Sequence, residues 1–295
     1  MRELEGVFIP VPTPFRDEEV GTDRLKANLA RWNQTDLAGY VILGSTGEFP
    51  LLTEADRDRV VAGAREAIPK TKAFIAGTGA ESTPLTIRQT RRAAEFGADV
   101  AIVITPNYYK KSFSQPAAQI RHYLAVAEAS PIPVMLYNFP QNTGINLEAA
   151  TVARVAEHPN VCGVKDSSGN IPQLAEIIHQ TPKSFNVLVG AAGALLPSLA
   201  IGSSGGILAL ANIAAREYCL VFALARQGRW DEAREIASRL VAVDRGIYGR
   251  YGIGGLKAAL DLQGFYGGPC RPPLGTPDAD AIEEIKEILA GVGLL

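Results

Sequence analysis

PVMLYNFPQNTGINLEAATVARVAEHPNVCGVKDSSGN, residues 133–170, holds two short apolar runs, PVMLYN (133–138) and NVCGVK (160–165), separated by a longer amphipathic stretch. Neither run alternates apolar with polar residues. A strand covered by helices on both faces has that pattern, because no side of it is left wet. Two such strands joined by a helical stretch make a crossover between parallel neighbours. Each run also closes on polar residues, Tyr137-Asn138 in one and Lys165-Asp166 in the other.

The same alternation extends from the N-terminus to about residue 228. Further apolar runs lie at 7–11 (VFIPV), 39–43 (GYVIL), 73–77 (AFIAG), 99–104 (DVAIVI), 186–190 (NVLVG) and 205–210 (GGILAL). Helical stretches between them have recognisable starts: Thr53 with Asp56, Ser82-Thr83-Pro84, and Ser114-Gln115-Pro116. Eight strand–helix repeats predict an α/β fold, a (β/α)8 TIM barrel. A doubly wound open sheet is the alternative, but no GxGxxG follows the first run. Three more helices are expected at about 230–245, 255–263 and 278–291, with the Gly/Pro-rich GFYGGPCRPPLGTP (264–277) before the last. The expected division is a catalytic barrel over 1–228 and a C-terminal helical region over 229–295 packed on it.

Composition narrows the function. The chain has 295 residues, 29 basic and 31 acidic, for a net charge of −2, and neither sign forms a block. Nucleic acid is therefore not an expected partner. The apolar runs are strand-length and the N-terminus lacks a long hydrophobic run, so a soluble cytoplasmic protein without membrane association is expected. Cys162, Cys219 and Cys270 are odd in number and far apart, as reduced buried thiols are. His122, His158 and His179 form no HxxxH or Cys/His cluster, so no catalytic metal is expected.

In a β/α barrel the chemistry sits at the carboxyl ends of the strands. That rule selects Gly44-Ser45-Thr46-Gly47-Glu48, Thr105-Pro106-Asn107-Tyr108-Tyr109, Tyr137-Asn138 and Lys165-Asp166-Ser167-Ser168. Most other lysines fall in helices or loops where an ammonium is solvated; Lys257 is less clear. Lys165 ends an apolar run, and desolvation there favours a neutral amine able to attack a ketone. Its other reading is a structural ion pair with Glu48 or Asp166. Tyr137 closes the neighbouring strand, either as a phenol that shuttles protons to and from that amine or as a packed aromatic with a satisfied hydroxyl. The GSTGE turn offers hydroxyls and successive N–H groups that suit a carboxylate, and it is also common turn chemistry.

Through GSTGE (44–48), TPNYY (105–109), YNFPQNTG (137–144), GVKDSSGN (163–170) and GGILALAN (205–212), the chain resembles the dihydrodipicolinate synthase and N-acetylneuraminate lyase superfamily of Schiff-base aldolases. The resemblance implies Lys165 as the Schiff-base lysine with no separate cofactor, and Tyr137 as proton shuttle. It implies Ser45 and Thr46 as binders of the pyruvyl carboxylate, with Thr46 also in the catalytic set. Tyr108 would be lent across a dimer interface to the proton relay, and Gly190 and Ile207 would line the pocket. A homotetramer built as a dimer of dimers is the implied assembly, and a small pyruvate-type 2-oxo acid the implied substrate.

Synthases of this superfamily carry an arginine in the turn after the shuttle tyrosine, where this chain has Asn142. GSTGEFPLLT, PIPVMLYNFPQNTG, KDSSGN and YGIGGLKAALDLQGFYGGPCRPPL look instead like 4-hydroxy-2-oxoglutarate aldolase. That likeness implies cleavage of 4-hydroxy-2-oxoglutarate to pyruvate and glyoxylate, with Ser167 hydrogen-bonding the substrate and Asn142 or Ser168 meeting its distal carboxylate. The alternatives are condensation of pyruvate with aspartate semialdehyde, cleavage or dehydration of a 2-oxo-3-deoxy sugar acid, and a catalytically silent 2-oxo acid sensor.

Overall fold

Each of the eight apolar runs supplies a strand. The computed structural model describes residues 4–295. The strands are Gly6–Pro10 (β1), Gly39–Ile42 (β2), Ala73–Gly77 (β3), Val100–Ile104 (β4), Val134–Asn138 (β5), Val161–Asp166 (β6), Asn186–Val189 (β7) and Gly205–Ile207 (β8). They form a closed barrel in chain order, with helices in the connections, so the chain is a (β/α)8 barrel. Every residue of β4, β5 and β6 is buried, which is why these runs show no polar alternation. A two-stranded antiparallel hairpin, Phe15–Arg16 with Glu19–Val20, follows β1. The apolar-run reading did not include it. Asp17 and Glu18 make its turn at φ 50° and 65°, without the glycine that usually signals such a turn.

Two compact units share the chain. One comprises the residues up to Gly6 and Ala73–Ile207; the other comprises Val7–Lys72 and Leu208–Leu295. In the first, β3 to β8 run as consecutive parallel neighbours. The β5–β6 ladder changes register once. Val134 faces Val161, whereas Met135 faces Gly163, so one extra residue, Cys162, is inserted in β6. Beyond that bulge Tyr137 lies opposite Lys165 and Asn138 opposite Asp166. Without it Tyr137 would face Val164, and a one-residue slip turns a side chain to the other face of a sheet.

In the second unit β1 pairs with β2, Phe8 facing Gly39. The helix Glu54–Ala67 starts as expected from a Thr53/Asp56 capping box, each side chain accepting the other residue's backbone N–H. Ser82 caps Thr83–Glu95 in the first unit from one side only, its hydroxyl accepting the Leu85 N–H. The third expected start also holds, with Pro116 opening the helix Pro116–Ala129 behind Gln115, while the Ser114 hydroxyl donates to Lys110 O at 2.8 Å in the short helix before it.

The expected C-terminal helices are Trp230–Val243, Gly249–Leu262 and Ala279–Gly291. A π turn, Asp244–Tyr248, joins the first two, and the break expected ahead of residue 255 falls at Gly252 (φ 57°, ψ −140°). This segment closes on the helix Thr22–Trp32 of its own unit. Trp32 stacks on Phe265 with centroids 5.0 Å apart, Arg31 lies over the same ring, and Asn28 exchanges two hydrogen bonds with the backbone of Tyr266. Among the described residues no helix is long and apolar enough to cross a membrane.

Candidate active site

Lys165 is the next-to-last residue of β6 and is only 5% exposed. Its Nζ lies over the ring of Tyr137, 4.1 Å from the centroid. Parallel strands in register turn opposed side chains to the same face, so the bulge at Cys162 creates this contact. Burial pushes the Lys165 amine down to about 7, because removing water penalises the ammonium and leaves the neutral form untouched. Near neutral pH a large fraction of the side chain is therefore a free-base nucleophile.

The two acids offered as structural partners for Lys165 are engaged elsewhere. Glu48 faces Lys257, Nζ to Oε1 2.5 Å. Asp166 is fully buried and held by its own strand ends. Oδ1 accepts the N–H and hydroxyl of Ser168, and Oδ2 accepts the amides of Asn138 and Gln173. Asn138 also donates to Asn146 Oδ1 and accepts the Leu147 N–H. Asp166 thus fixes the β6 terminus, and the lysine beside it keeps its amine unpaired with either acid.

Ser167 and Gly190 complete this group. Ser167 is buried, and Gly190 N–H donates to Asp166 O at 2.6 Å, bringing the end of β7 against the end of β6. A Cβ at position 190 would lie 1.9 Å from Ser167 Oγ and 2.9 Å from Lys165 Cε. Glycine is required there because the lysine stem and the serine hydroxyl occupy that space. Gly190 was expected as a pocket-lining backbone; its visible role is to make room. Ile207 is fully buried at the last position of β8.

After Tyr137 the chain makes a short helix, Pro140–Thr143, ended by Gly144 in the left-handed conformation (φ 68°). The Phe139 ring stacks on Tyr137 at 5.8 Å, tying this turn to the candidate proton shuttle. Asn142 sits on the turn with its side chain exposed. The stem of Lys110 crosses Gly144 so closely that a Cβ there would be 3.0 Å from its Nζ. Ser168 offers its carbonyl to Gln141 Nε2. Tyr108 is 78% exposed, edge-on to Tyr109, with its N–H and that of Asn107 held by Glu81. Within this chain its phenol lies in solvent.

In the second unit, Ser45–Gly47 form a tight 3-10 turn directly after β2, with Thr46 buried and Ser45 half-buried. Thr13 donates to Gly47 O at 2.7 Å. The residues bracketing the turn, Leu43 (φ 60°) and Glu48 (φ 57°), are both left-handed without being glycine. Sequence reasoning put Glu48 in the motif but missed its partner. The signal was present: Lys257 is a lone cation within the apolar IGGLKAAL (253–260). No cluster of three or more His, Cys, Asp or Glu side chains suited to a metal ion occurs among the described residues.

A parallel barrel with a desolvated lysine at a strand end has the architecture of a class I aldolase, in which an amine of the chain forms a Schiff base with the substrate carbonyl. Residues 3–291 match the dihydrodipicolinate synthetase family, and the chain belongs to that family. A 4-hydroxy-tetrahydrodipicolinate synthase of Methanosphaerula palustris is 34% identical over 291 residues, 97% of this chain and 99% of that one. The crystal structure of a dihydrodipicolinate synthase superposes with a TM-score of 0.93 at 31% identity, covering 99% of this chain and 100% of the other. YagE, an Escherichia coli K12 prophage protein of the same family whose crystal structure holds pyruvate, gives a TM-score of 0.93 at 28% identity over 99% of each chain. As a family member this chain is a carbon–carbon lyase of the class I aldolase type, and enzymes of this family work through a lysine Schiff base with no external cofactor.

Proposed function

We propose that Lys165 is the Schiff-base lysine and that pyruvate is the oxo acid it binds. The observation that carries this reading is the buried Lys165 amine, shifted to about 7 and seated on Tyr137. The neutral amine adds to C2 of pyruvate, the carbinolamine loses water, and the resulting imine loses a proton from C3 to give an enamine. That carbon attacks an aldehyde, and hydrolysis frees the product and the amine. Tyr137 carries the protons, with Thr46 and the Tyr108 of a second copy in the relay. Ser45 and Thr46 bind the pyruvyl carboxylate, Ser167 hydrogen-bonds the adduct, and Gly190 and Ile207 line its pocket. The pyruvate in the YagE crystal structure supports the choice of oxo acid.

For the aldehyde, the name of the Methanosphaerula palustris relative favours condensation with aspartate semialdehyde, giving 4-hydroxy-tetrahydrodipicolinate. Asn142, in place of the arginine that synthases carry on this turn, favours the second reading, cleavage of 4-hydroxy-2-oxoglutarate. Both reactions need a cation or amide for a distal carboxylate, and we assign Lys110, Asn142 and Ser168 to it. Purified protein assayed with both substrates, and with a 2-oxo-3-deoxy sugar acid, ranks these reactions. Borohydride reduction with pyruvate followed by peptide mapping should place the adduct on Lys165; an adduct on another lysine, or none, defeats the assignment. The remaining parts of the reading are a cytoplasmic homotetramer, a catalytic barrel domain over 1–228, and a helical region over 229–295 packed on it.

A further inference from the structure

The turn that carries Ser45 and Thr46 is held in an unfavourable shape from a distance. Glu48 has its side chain fully buried and its backbone left-handed, where a Cβ crowds the neighbouring carbonyl. Such a residue persists only when its surroundings over-determine it, and strain of this kind concentrates at functional sites. The surroundings here come from the C-terminal segment. Lys257 Nζ, 1% exposed, lies 2.5 Å from Glu48 Oε1 and donates to Pro269 O at 2.8 Å. The Arg271 N–H donates to Glu48 Oε2 at 2.8 Å, across 223 residues of sequence. The Arg271 guanidinium then reaches Leu51 O, Asp56 Oδ2 and Glu18 O. The Phe15 ring lies under both cations, 4.7 Å from Lys257 Nζ and 4.5 Å from the Arg271 guanidinium.

A buried ion pair is a poor device for stability alone, since well-packed apolar residues of similar volume replace it at little loss. What it adds here is position, the Lys257 charge at Oε1 acting together with the Arg271 N–H at Oε2. Together they fix the carboxylate of Glu48, and with it the backbone two residues beyond Thr46 and the N–H groups of the 3-10 turn. From this geometry we infer that Glu48, Lys257 and Arg271 are positioning residues, a clamp that shapes the Ser45–Gly47 turn for the carboxylate of the oxo acid. The inference rests on the reading that Ser45 and Thr46 bind that carboxylate. It makes the C-terminal segment a determinant of substrate recognition as well as a cover for the helix Thr22–Trp32.

The test separates carboxylate recognition from amine chemistry. Borohydride trapping is measured against concentration for pyruvate and for acetone, a ketone without a carboxylate. In the E48Q/K257M double variant, checked for folding by near-UV circular dichroism, the half-saturating pyruvate concentration should rise about tenfold, the loss of one well-placed hydrogen bond. Acetone trapping should stay at the wild-type rate. A purely structural pair would leave the ratio of pyruvate to acetone reactivity unchanged, and that result in a folded variant overturns the clamp. Should the double variant not fold, E48Q alone, which removes the charge facing Lys257 and keeps the shape of the side chain, decides by the same ratio. S45A/T46V is the control on the underlying reading. If it leaves the ratio unchanged, the turn is not the carboxylate site; if it lowers the ratio and the clamp variants do not, the clamp alone fails.

Discussion

Lys165 and Tyr137 are direct cross-strand partners, the amine resting 4.1 Å above the centre of the phenol ring. An amine in that position meets a ring face rather than an anion; the ring quadrupole favours the ammonium only weakly, and burial still draws the amine down. The candidate nucleophile and the candidate proton shuttle also share one rigid ladder, which holds their separation without relying on a loop. K165M should abolish reductive trapping of pyruvate at this position. Y137F should still be trapped but lose turnover by about a hundredfold or more, the usual contribution of a positioned acid–base group. Single-turnover trapping and steady-state assays on the same preparations check this, and a Y137F enzyme of wild-type kcat would remove Tyr137 from the proton relay.

The pH dependence follows from the same burial. With its pKa drawn down to about 7, the Lys165 amine is mostly protonated below that pH and mostly neutral above it. The initial rate of pyruvate trapping should therefore rise with pH, with a midpoint near 7, and level off within about one to two units above it. An ordinary exposed lysine would keep rising toward the alkaline limit of the assay. Trapping rates across a buffer series with constant ionic strength distinguish the two profiles.

Gly190→Ala introduces a methyl group where Ser167 Oγ and Lys165 Cε already lie. Ser167 or the lysine stem has to move, and overpacking of this kind costs about 1–3 kcal/mol. Urea unfolding should show that loss, and the trapping rate should fall together with it. A variant that is destabilised yet traps pyruvate normally would show that Ser167 alone yields.

Much of this arrangement was legible in the chain. The eight strands were readable because parallel strands covered on both sides must be apolar throughout, and Lys165 and Tyr137 because a polar residue ending such a run is conspicuous. The register between them was not. It depends on Cys162, an extra residue in β6 that has no composition signal and yet decides whether Tyr137 faces Lys165 or Val164. The partner of Glu48 was hidden for another reason: a contact across more than two hundred residues leaves no periodicity to read, and Lys257 showed only as a cation in an apolar helix.

Lys110 offers a test of partner choice. Its stem packs over Gly144, which puts an ammonium on the turn that carries Asn142. K110M should leave pyruvate trapping unchanged and raise KM for the dicarboxylate substrate or the carboxylated aldehyde by about ten- to a hundredfold, the value of one charge-assisted hydrogen bond. An aldehyde lacking the distal carboxylate should be indifferent to the change. Equal effects on both kinds of aldehyde would remove Lys110 from substrate recognition.

The Glu48–Lys257 pair also makes a prediction about stability that differs from its effect on the turn. K257M alone leaves a fully buried carboxylate with the Arg271 N–H as its hydrogen-bond donor. Breaking one side of such a pair costs about 3–5 kcal/mol, because the remaining charge has neither water nor a counter-ion. Adding E48Q removes that charge while keeping the shape of the side chain, so most of the loss should return. Urea denaturation of wild type, both single variants and the double variant closes the cycle, and the expected coupling is favourable and larger than about 1 kcal/mol. Additive effects would mean that the two side chains are stabilised independently by their backbone partners. The expected sign, with K257M less stable than E48Q/K257M, follows from desolvation: the interior tolerates a neutral amide at position 48 better than an unpaired anion.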